Sequence, residues 1–243
     1  MRSFVAALQF LTVFPWPRRA QRGAEEIGPA VSFFPVVGLL LGLVLVLVDF
    51  SLQPIASRSL SSVALISTLA FLTRALHLDG LGDTFDGLGA GGERERMLRI
   101  MDDSHAGVFG VVAIVLLLFF KIHALEAIDH ERWRALIAAP VLGRWSMAVL
   151  GYGSAPAKPG LGSTLMEHLQ FKHFLFASLT ALIIAAVVLR EMGVLLMIAI
   201  AIFSLAAKKY FHRRLGGVTG DTFGAVGELS ETAVLIAVAL GAR

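Results

Sequence analysis

The chain has 243 residues, of which 56% are hydrophobic and only 16% charged, where an ordinary soluble domain carries about 25% charged residues. With a mean hydropathy of +0.77, this composition excludes disorder, a collagen-like fibre and a soluble nucleic-acid module. The absence of cysteine excludes disulfides, thiolate zinc sites, iron–sulfur clusters and cysteine nucleophiles. What remains is an all-α, polytopic integral membrane helical bundle, read as one domain over residues 1–243. The net charge of +3 is a topological signal, Lys and Arg gathered in cytoplasmic loops, and no nucleic-acid partner is expected.

Residues 3–14 are too short to span. They read as an interfacial helix, followed by Trp16 at headgroup depth. No small-residue cleavage site follows them, so a signal peptide is not expected. Val31–Val48 is an 18-residue run without charge, close to the length that crosses a bilayer core. Ser59–Thr73, Ala106–Phe120, Phe174–Leu189 and Met192–Ala207 are shorter runs that flanking residues extend. Arg134–Gly153 carries Arg144 inside it. Thr222–Gly241 is the weakest span, interrupted by Glu228 and Glu231. The sequence thus predicts about seven spans, or six on a stricter count. With the N-terminus in the cytoplasm, 14 Lys and Arg fall on the cytoplasmic side and 6 on the other, Arg144 lying within a span. That bias puts the 74–105 and 208–221 loops on the cytoplasmic face.

Acid is concentrated in residues 79–105, which hold seven of the chain's 18 acids. Asp79, Asp83 and Asp86 stand at i, i+4 and i+7, one face of a helix. Three carboxylates on one face repel unless a cation sits among them, and oxygen-only ligands suit Mg²⁺, or Mn²⁺. The interleaved Gly80 and Gly82 let a diphosphate approach the backbone. A solvated loop is the plainer reading, and it fits Glu93 and Glu95, which alternate with Arg94 and Arg96. Asp103 either caps the next helix together with Ser104 or adds a fourth metal oxygen. His77 and His105 flank the loop as structural hydrogen-bonders or, when protonated, as phosphate ligands.

A second polar island runs from Gly216 to Ala225, behind Lys208, Lys209, Arg213 and Arg214. Glycines beside a helix N-terminus form an anion cradle, here Gly217 and Gly220 together with Thr219. Arg213 and Arg214 are the nearer phosphate ligands, while Lys208 and Lys209 serve topology. Asp221 either caps the last span or joins the metal site, and Glu228 lies on the same face. Lys158 with Gly160-Leu161-Gly162 is a substrate contact or simply a flexible turn. Arg144 needs a partner inside its span, either a carboxylate or substrate.

The stretch from Arg74 through His77, Asp79, Asp83 and Asp86 resembles the signature of the cobalamin synthase family, the adenosylcobinamide-GDP ribazoletransferases. Ile100–Gly110 followed by Lys121, and Gly216–Ala225, are similar to further motifs of that family. Phe10-Leu11-Thr12, Phe34–Gly38 with Gly42, and Gly143-Arg144-Trp145 fit weaker patterns. Phe85 stands where a small residue is usual, and Asp102 where a basic or variable one is common. The resemblance implies a bacterial inner-membrane, Mg²⁺-dependent transferase with its active site on the cytoplasmic face. It would join adenosylcobinamide-GDP to α-ribazole, or to its 5′-phosphate, and release GMP, so its partners are corrinoid and nucleoside substrates and the lipid bilayer. Motif chemistry and resemblance together nominate Asp83, Asp86 and His77 as catalytic, with Asp86 as one choice of proton acceptor. They place substrate on Arg74, Gly80, Gly82, His105, Arg213, Arg214, Gly217, Thr219 and Gly220. Metal falls to Asp79, Asp83, Asp86, Asp103 and Asp221.

Two other classes compete. CDP-alcohol phosphotransferases also use an aspartate-rich Asp-Gly motif with Mg²⁺, but with Ala-Arg after the Asp-Gly pair, where this chain has Leu81-Gly82-Asp83. A cation transporter would place its ionisable groups near the midplane, whereas most acids here gather at one membrane face.

Overall fold

The computed structural model describes residues 2–14 and 27–241. Trp16, expected at headgroup depth, lies outside the described residues. In chain order the helices are α1 (Arg2–Leu11), α2 (Ile27–Ala30), a 3₁₀ turn (Val31–Phe33), α3 (Phe34–Leu52), α4 (Arg58–Leu72), α5 (Leu76–Ala90) and α6 (Arg94–Met101). They continue with α7 (Val108–Glu126), α8 (Arg132–Gly151), α9 (Leu161–His168), α10 (Phe171–Leu189), α11 (Glu191–Leu215) and α12 (Gly220–Gly241). The all-α expectation therefore holds. The 74–105 segment, expected as a polar loop, is instead mostly helical, forming α5 and α6.

Among the described residues, five segments are long and apolar enough to cross a membrane: residues 27–52, α7, α10, α11 and α12. α4 and α5 pass only as a pair, bent by 88°. The bend falls at Arg74 and Ala75, two consecutive non-glycine residues in the left-handed region, φ 55° and 52°. Such conformations persist only where surrounding contacts hold them. One of those contacts is the Arg74 guanidinium, which donates to the Gln9 carbonyl at 3.2 Å and so ties α1 to the bend.

α8 is not among the five, and its position explains why. Every residue from Ala135 to Gly151 is buried, so α8 faces protein on all sides and needs no lipid-facing apolar surface. Glycines let α3 approach it closely. A side chain at Gly42 would meet the Ile137 Cα at 2.7 Å, and one at Gly38 the Val141 Cα at 2.8 Å, the small-residue packing common between membrane helices. Outside this core, α7, α10 and α11 expose large apolar side chains such as Leu116, Phe119, Ile183, Val187, Leu195 and Ile202. A surface of that kind faces lipid rather than water.

Glu228 and Glu231, the interruption in the last span, also point inward. Glu228 lies 2.5 Å and Glu231 2.8 Å from the Lys121 Nζ of α7. Glu231 also pairs with Arg144 of α8. Arg144 thus finds its partner in a carboxylate. At the far end of the bundle the end of α3 meets the start of α8 through Asp49 and Arg132, 3.5 Å apart. Arg58 at the start of α4 pairs there with Asp129, between α7 and α8. The bend between α4 and α5, α9 and the start of α12 gather at the opposite end.

Candidate active site

That opposite end holds a cleft of about 260 Å³. Three pieces of chain form its polar wall: the start of α5, the segment 158–163 and the start of α12. Backbone pairing holds the last two together. Ala157 N–H donates to the Val218 carbonyl, and Val218 N–H to that of Ala155, both at 2.9 Å. Arg94 of α6 donates to the Ala157 carbonyl at 2.8 Å, so a residue expected on a solvated face instead clamps this loop.

The start of α12 is capped internally. Thr219 Oγ1 accepts from Thr222 N–H at 3.2 Å, and Thr222 Oγ1 accepts from Thr219 N–H at 3.0 Å. Thr219 is therefore a buried cap rather than a substrate ligand. Asp221 is left free of that task. It lines the cleft with Asp79 and Gly220. Gly220 has open space where a side chain would stand, so the positive end of α12 is accessible to an anion.

The glycines divide by role. A side chain at Gly80 would stand 2.8 Å from the Asp221 carbonyl oxygen, and one at Gly82 3.1 Å from the Ile114 side chain. Gly217 is packed against the 155–157 backbone in the same way. Gly80, Gly82 and Gly217 thus permit helix and loop contacts, and only Gly80 of the three also lines the cleft.

The aspartates divide as well. Asp83 is half-buried, and the charges that bear on it are those of Asp79, Asp221 and Asp86, opposed by Lys158. Asp86 is buried, and its carboxylate accepts Gly107 N–H at 2.7 Å and Gly110 N–H at 2.8 Å. It caps α7 from the neighbouring helix. Asp103 lies in the loop before α7, where its Oδ1 takes the His105 backbone N–H at 3.0 Å and contacts the His105 ring at 2.7 Å. Those hydrogen bonds hold the Asp103 carboxyl below the usual carboxylate range. Asp103 and His105 serve each other, and Asp103 is not among the charges acting on Asp83.

Among the described residues, Lys158 is the cation of the site. Its Nζ lies 2.5 Å from Asp102 and 3.2 Å from Asp221. Burial alone would favour loss of its proton, but the hydrogen bond to Asp102 and the charge of Asp221 outweigh burial and hold its pKa above the ordinary value. Arg213 and Arg214 are exposed at the end of α11, outside the cleft lining. His77 lines the cleft, buried, and neither ring nitrogen has a protein partner.

Among the described residues no three His, Cys, Asp or Glu stand as a ready-made metal shell. The donor chemistry nevertheless fits a hard cation. Mg²⁺ is usually held by one or two carboxylates, with substrate phosphates and water completing the octahedron. Asp79, Asp83 and Asp221 offer oxygen only, with carboxylate charge in excess.

A family model described as cobalamin-5-phosphate synthase matches residues 3–239. The chain belongs to the cobalamin-5-phosphate synthase family. Among its relatives are three proteins named adenosylcobinamide-GDP ribazoletransferase. The one from Geotalea daltonii is 40% identical, over 100% of this chain and 99% of its own length. The one from Syntrophobacter fumaroxidans is 40% identical over 97% of each chain, and that from Pseudomonas putida strain GB-1 is 39% identical over 99% of this chain and 100% of its own. No solved structure matches the chain. In this synthase-family chain the sequence motifs fall on α5, the α6–α7 loop and the start of α12. The apolar residues beside them were read only as weak pattern matches. Phe10 and Phe34 line the cleft, their rings stacked 5.9 Å apart.

Proposed function

We propose that this chain is a Mg²⁺-dependent transferase joining adenosylcobinamide-GDP to α-ribazole, or to its 5′-phosphate, with release of GMP. The observation that carries the reading is the family match over residues 3–239, together with an acid-rich cleft at the one place where two of the motifs meet. A ribose hydroxyl oxygen bonds to the corrinoid-side phosphorus. The bond from that phosphorus to the bridging oxygen breaks, and the bridging oxygen leaves with GMP. We assign metal binding to Asp79, Asp83 and Asp221. Bound there, Mg²⁺ would neutralise the diphosphate and the leaving phosphate. Asp86 positions α7 against α5, so the hydroxyl proton is assigned to the Asp79–Asp83 pair. Gly220, at the start of α12, faces the phosphates, Lys158 holds the place of the cation beside Asp221 until metal binds, and orientation with electrostatic stabilisation supplies most of the rate.

We further infer an inner-membrane location with the N-terminus and the cleft on the cytoplasmic side, supported by the 14-to-6 distribution of Lys and Arg. In that topology α8 crosses inside the bundle and α4 at its edge, giving seven passes. At 20 residues, α8 is about 30 Å long at 1.5 Å per residue, enough to cross.

The deciding experiment is turnover in lipid with adenosylcobinamide-GDP, α-ribazole and Mg²⁺, reading GMP. CMP release from a CDP-alcohol, or Mg²⁺ flux without nucleotide, in place of GMP would overturn the reading.

A further inference from the structure

The cleft lining is of two unlike kinds. Asp79, Lys158 and Asp221 are its charged members. Phe10, Phe34, Leu76, Met147, Leu165 and Phe223 are apolar, and Phe10, Phe34 and Leu165 also stand together around an adjoining apolar cavity. The Phe10 and Phe34 rings lie 12° from parallel. Leu76, in the same lining, is 40% exposed, an apolar side chain left uncovered. His77 borders the same cleft, with both ring nitrogens lacking a protein partner.

The proposed reaction brings together a corrinoid, a guanosine diphosphate and a nucleoside whose base is a two-ring benzimidazole. Ligand sites are commonly about 300–1,000 Å³, so a cleft of about 260 Å³ takes a fragment of that mixture. A corrin macrocycle with its amide arms exceeds the space. Guanine fits by size but carries a polar edge, which an apolar wall leaves unpaired at a cost in binding. The dimethylbenzimidazole of α-ribazole has no N–H donor and one free ring nitrogen. It matches the apolar, aromatic part of the lining, and His77 in the same cleft has ring nitrogens without a protein partner. Its own ribose then lies towards Asp79 and Asp221, where the attacking hydroxyl is needed.

We propose that the apolar part of the cleft lining is the seat of the acceptor's base, with Phe10 as a specificity-determining residue. This rests on the transferase reading above and adds the identity of the group bound. It also gives α1 a role: the N-terminal helix is a wall of the acceptor site.

The test uses the full chain in lipid nanodiscs. α-Ribazole, whose base carries no N–H, is the binding probe, measured by equilibrium dialysis without Mg²⁺ or corrinoid. Phe10→Leu keeps an apolar side chain but removes the ring, and Phe10→Ala removes more. Both weaken α-ribazole binding by about tenfold or more, the scale of a lost aromatic contact with its burial. In turnover the KM for α-ribazole rises by a similar factor, while that for adenosylcobinamide-GDP moves less than twofold. Phe4→Ala removes a ring that packs on Phe33, on the same helix but outside the cleft, and leaves both values unchanged. The subsite is overturned if both Phe10 variants bind α-ribazole like wild type, or if their effect falls equally on adenosylcobinamide-GDP. The two readings fail separately. A wild-type protein that binds α-ribazole but forms no GMP counts against the transferase. A protein that forms GMP with no dependence on Phe10 counts against the subsite alone.

Discussion

The buried tetrad of Lys121, Arg144, Glu228 and Glu231 and the carboxylates Asp79, Asp83 and Asp221 at the cleft end each draw on helix α12, the tetrad through Glu228 and Glu231 and the carboxylates through Asp221. They lie only two to three turns apart along it. The tetrad sets two cations against two anions, each at most 5% exposed, so its charge is closed within the protein. Among the described residues the cleft sets Asp79 and Asp221, with Asp83 acted on by both charges, against one lysine, and that lysine is shared with Asp102. Balanced buried charge locks helices together. Unbalanced, partly exposed charge draws a cation or a cation-bound substrate. One helix therefore carries a structural lock at its middle and the proposed binding site at its start.

The comparison breaks most sharply at Asp83. Asp83→Ala should lower GMP release by about 10³-fold or more, the scale of removing an electrostatic contact to a transferring group, while folded protein persists in the membrane. Turnover paired with size-exclusion behaviour checks both halves. Near-normal turnover would remove Asp83 from the site.

Glu231→Ala should show the opposite pattern. It leaves Lys121 and Arg144 buried with too little negative charge, a loss of about 3–5 kcal/mol when one partner of a buried pair is removed. Thermal unfolding in detergent and the yield of folded protein read it. Replacing Lys121 and Glu228 together by Met should recover part of the loss that Lys121→Met causes alone, because the double change leaves no unpaired charge. A Glu231→Ala protein as stable as wild type but inactive would move the tetrad into the catalytic machinery.

The sequence and the fold can be compared at these same residues. The i, i+4, i+7 spacing of Asp79, Asp83 and Asp86 was legible because a helical face needs only local geometry. That Asp86 caps α7 was not, since its partners Gly107 and Gly110 lie 21 and 24 residues away across a turn no periodicity encodes. The same holds for Lys158 and Asp221, brought together by a loop pairing between Pro156 and Val218. The only local hint was a lysine held between prolines and a glycine. α8 was legible as a span but not as the hub, because a helix buried by protein on all sides has no lipid face to declare itself. α1 looked interfacial from its length. Its seat in the bundle depends on Phe10 meeting Phe34, 24 positions away.

Gly80→Ala sharpens the boundary between the two clusters with an intermediate effect. The added methyl group would stand 2.8 Å from the Asp221 carbonyl oxygen, backbone that cannot swing aside, so α5 and α12 must separate. Overpacking of this kind costs about 1–3 kcal/mol. The shift would part Asp79 from Asp221 while leaving the tetrad's side chains intact. The expected outcome is a larger loss of turnover than of thermal stability. Equal losses would mean that this contact holds the fold rather than the site.

The smallest effect is expected at Lys158, and its sign is what matters. The ammonium lies 3.2 Å from Asp221 and competes with any cation for the same carboxylate. Lys158→Gln removes that competitor without removing bulk. Partly exposed pairs of this kind are worth about 0–1 kcal/mol, so thermal stability should barely move. Apparent Mg²⁺ affinity, read from GMP release across a Mg²⁺ titration, should tighten by roughly two- to fivefold, which is that same energy expressed as a ratio. Weaker apparent Mg²⁺ affinity in the variant would mean that Lys158 holds substrate phosphate itself, with the metal following the substrate in. The excess negative charge of the cleft would then be answered by the phosphate-bound metal together with the lysine, and Lys158 would belong to the binding machinery rather than stand in for the cation.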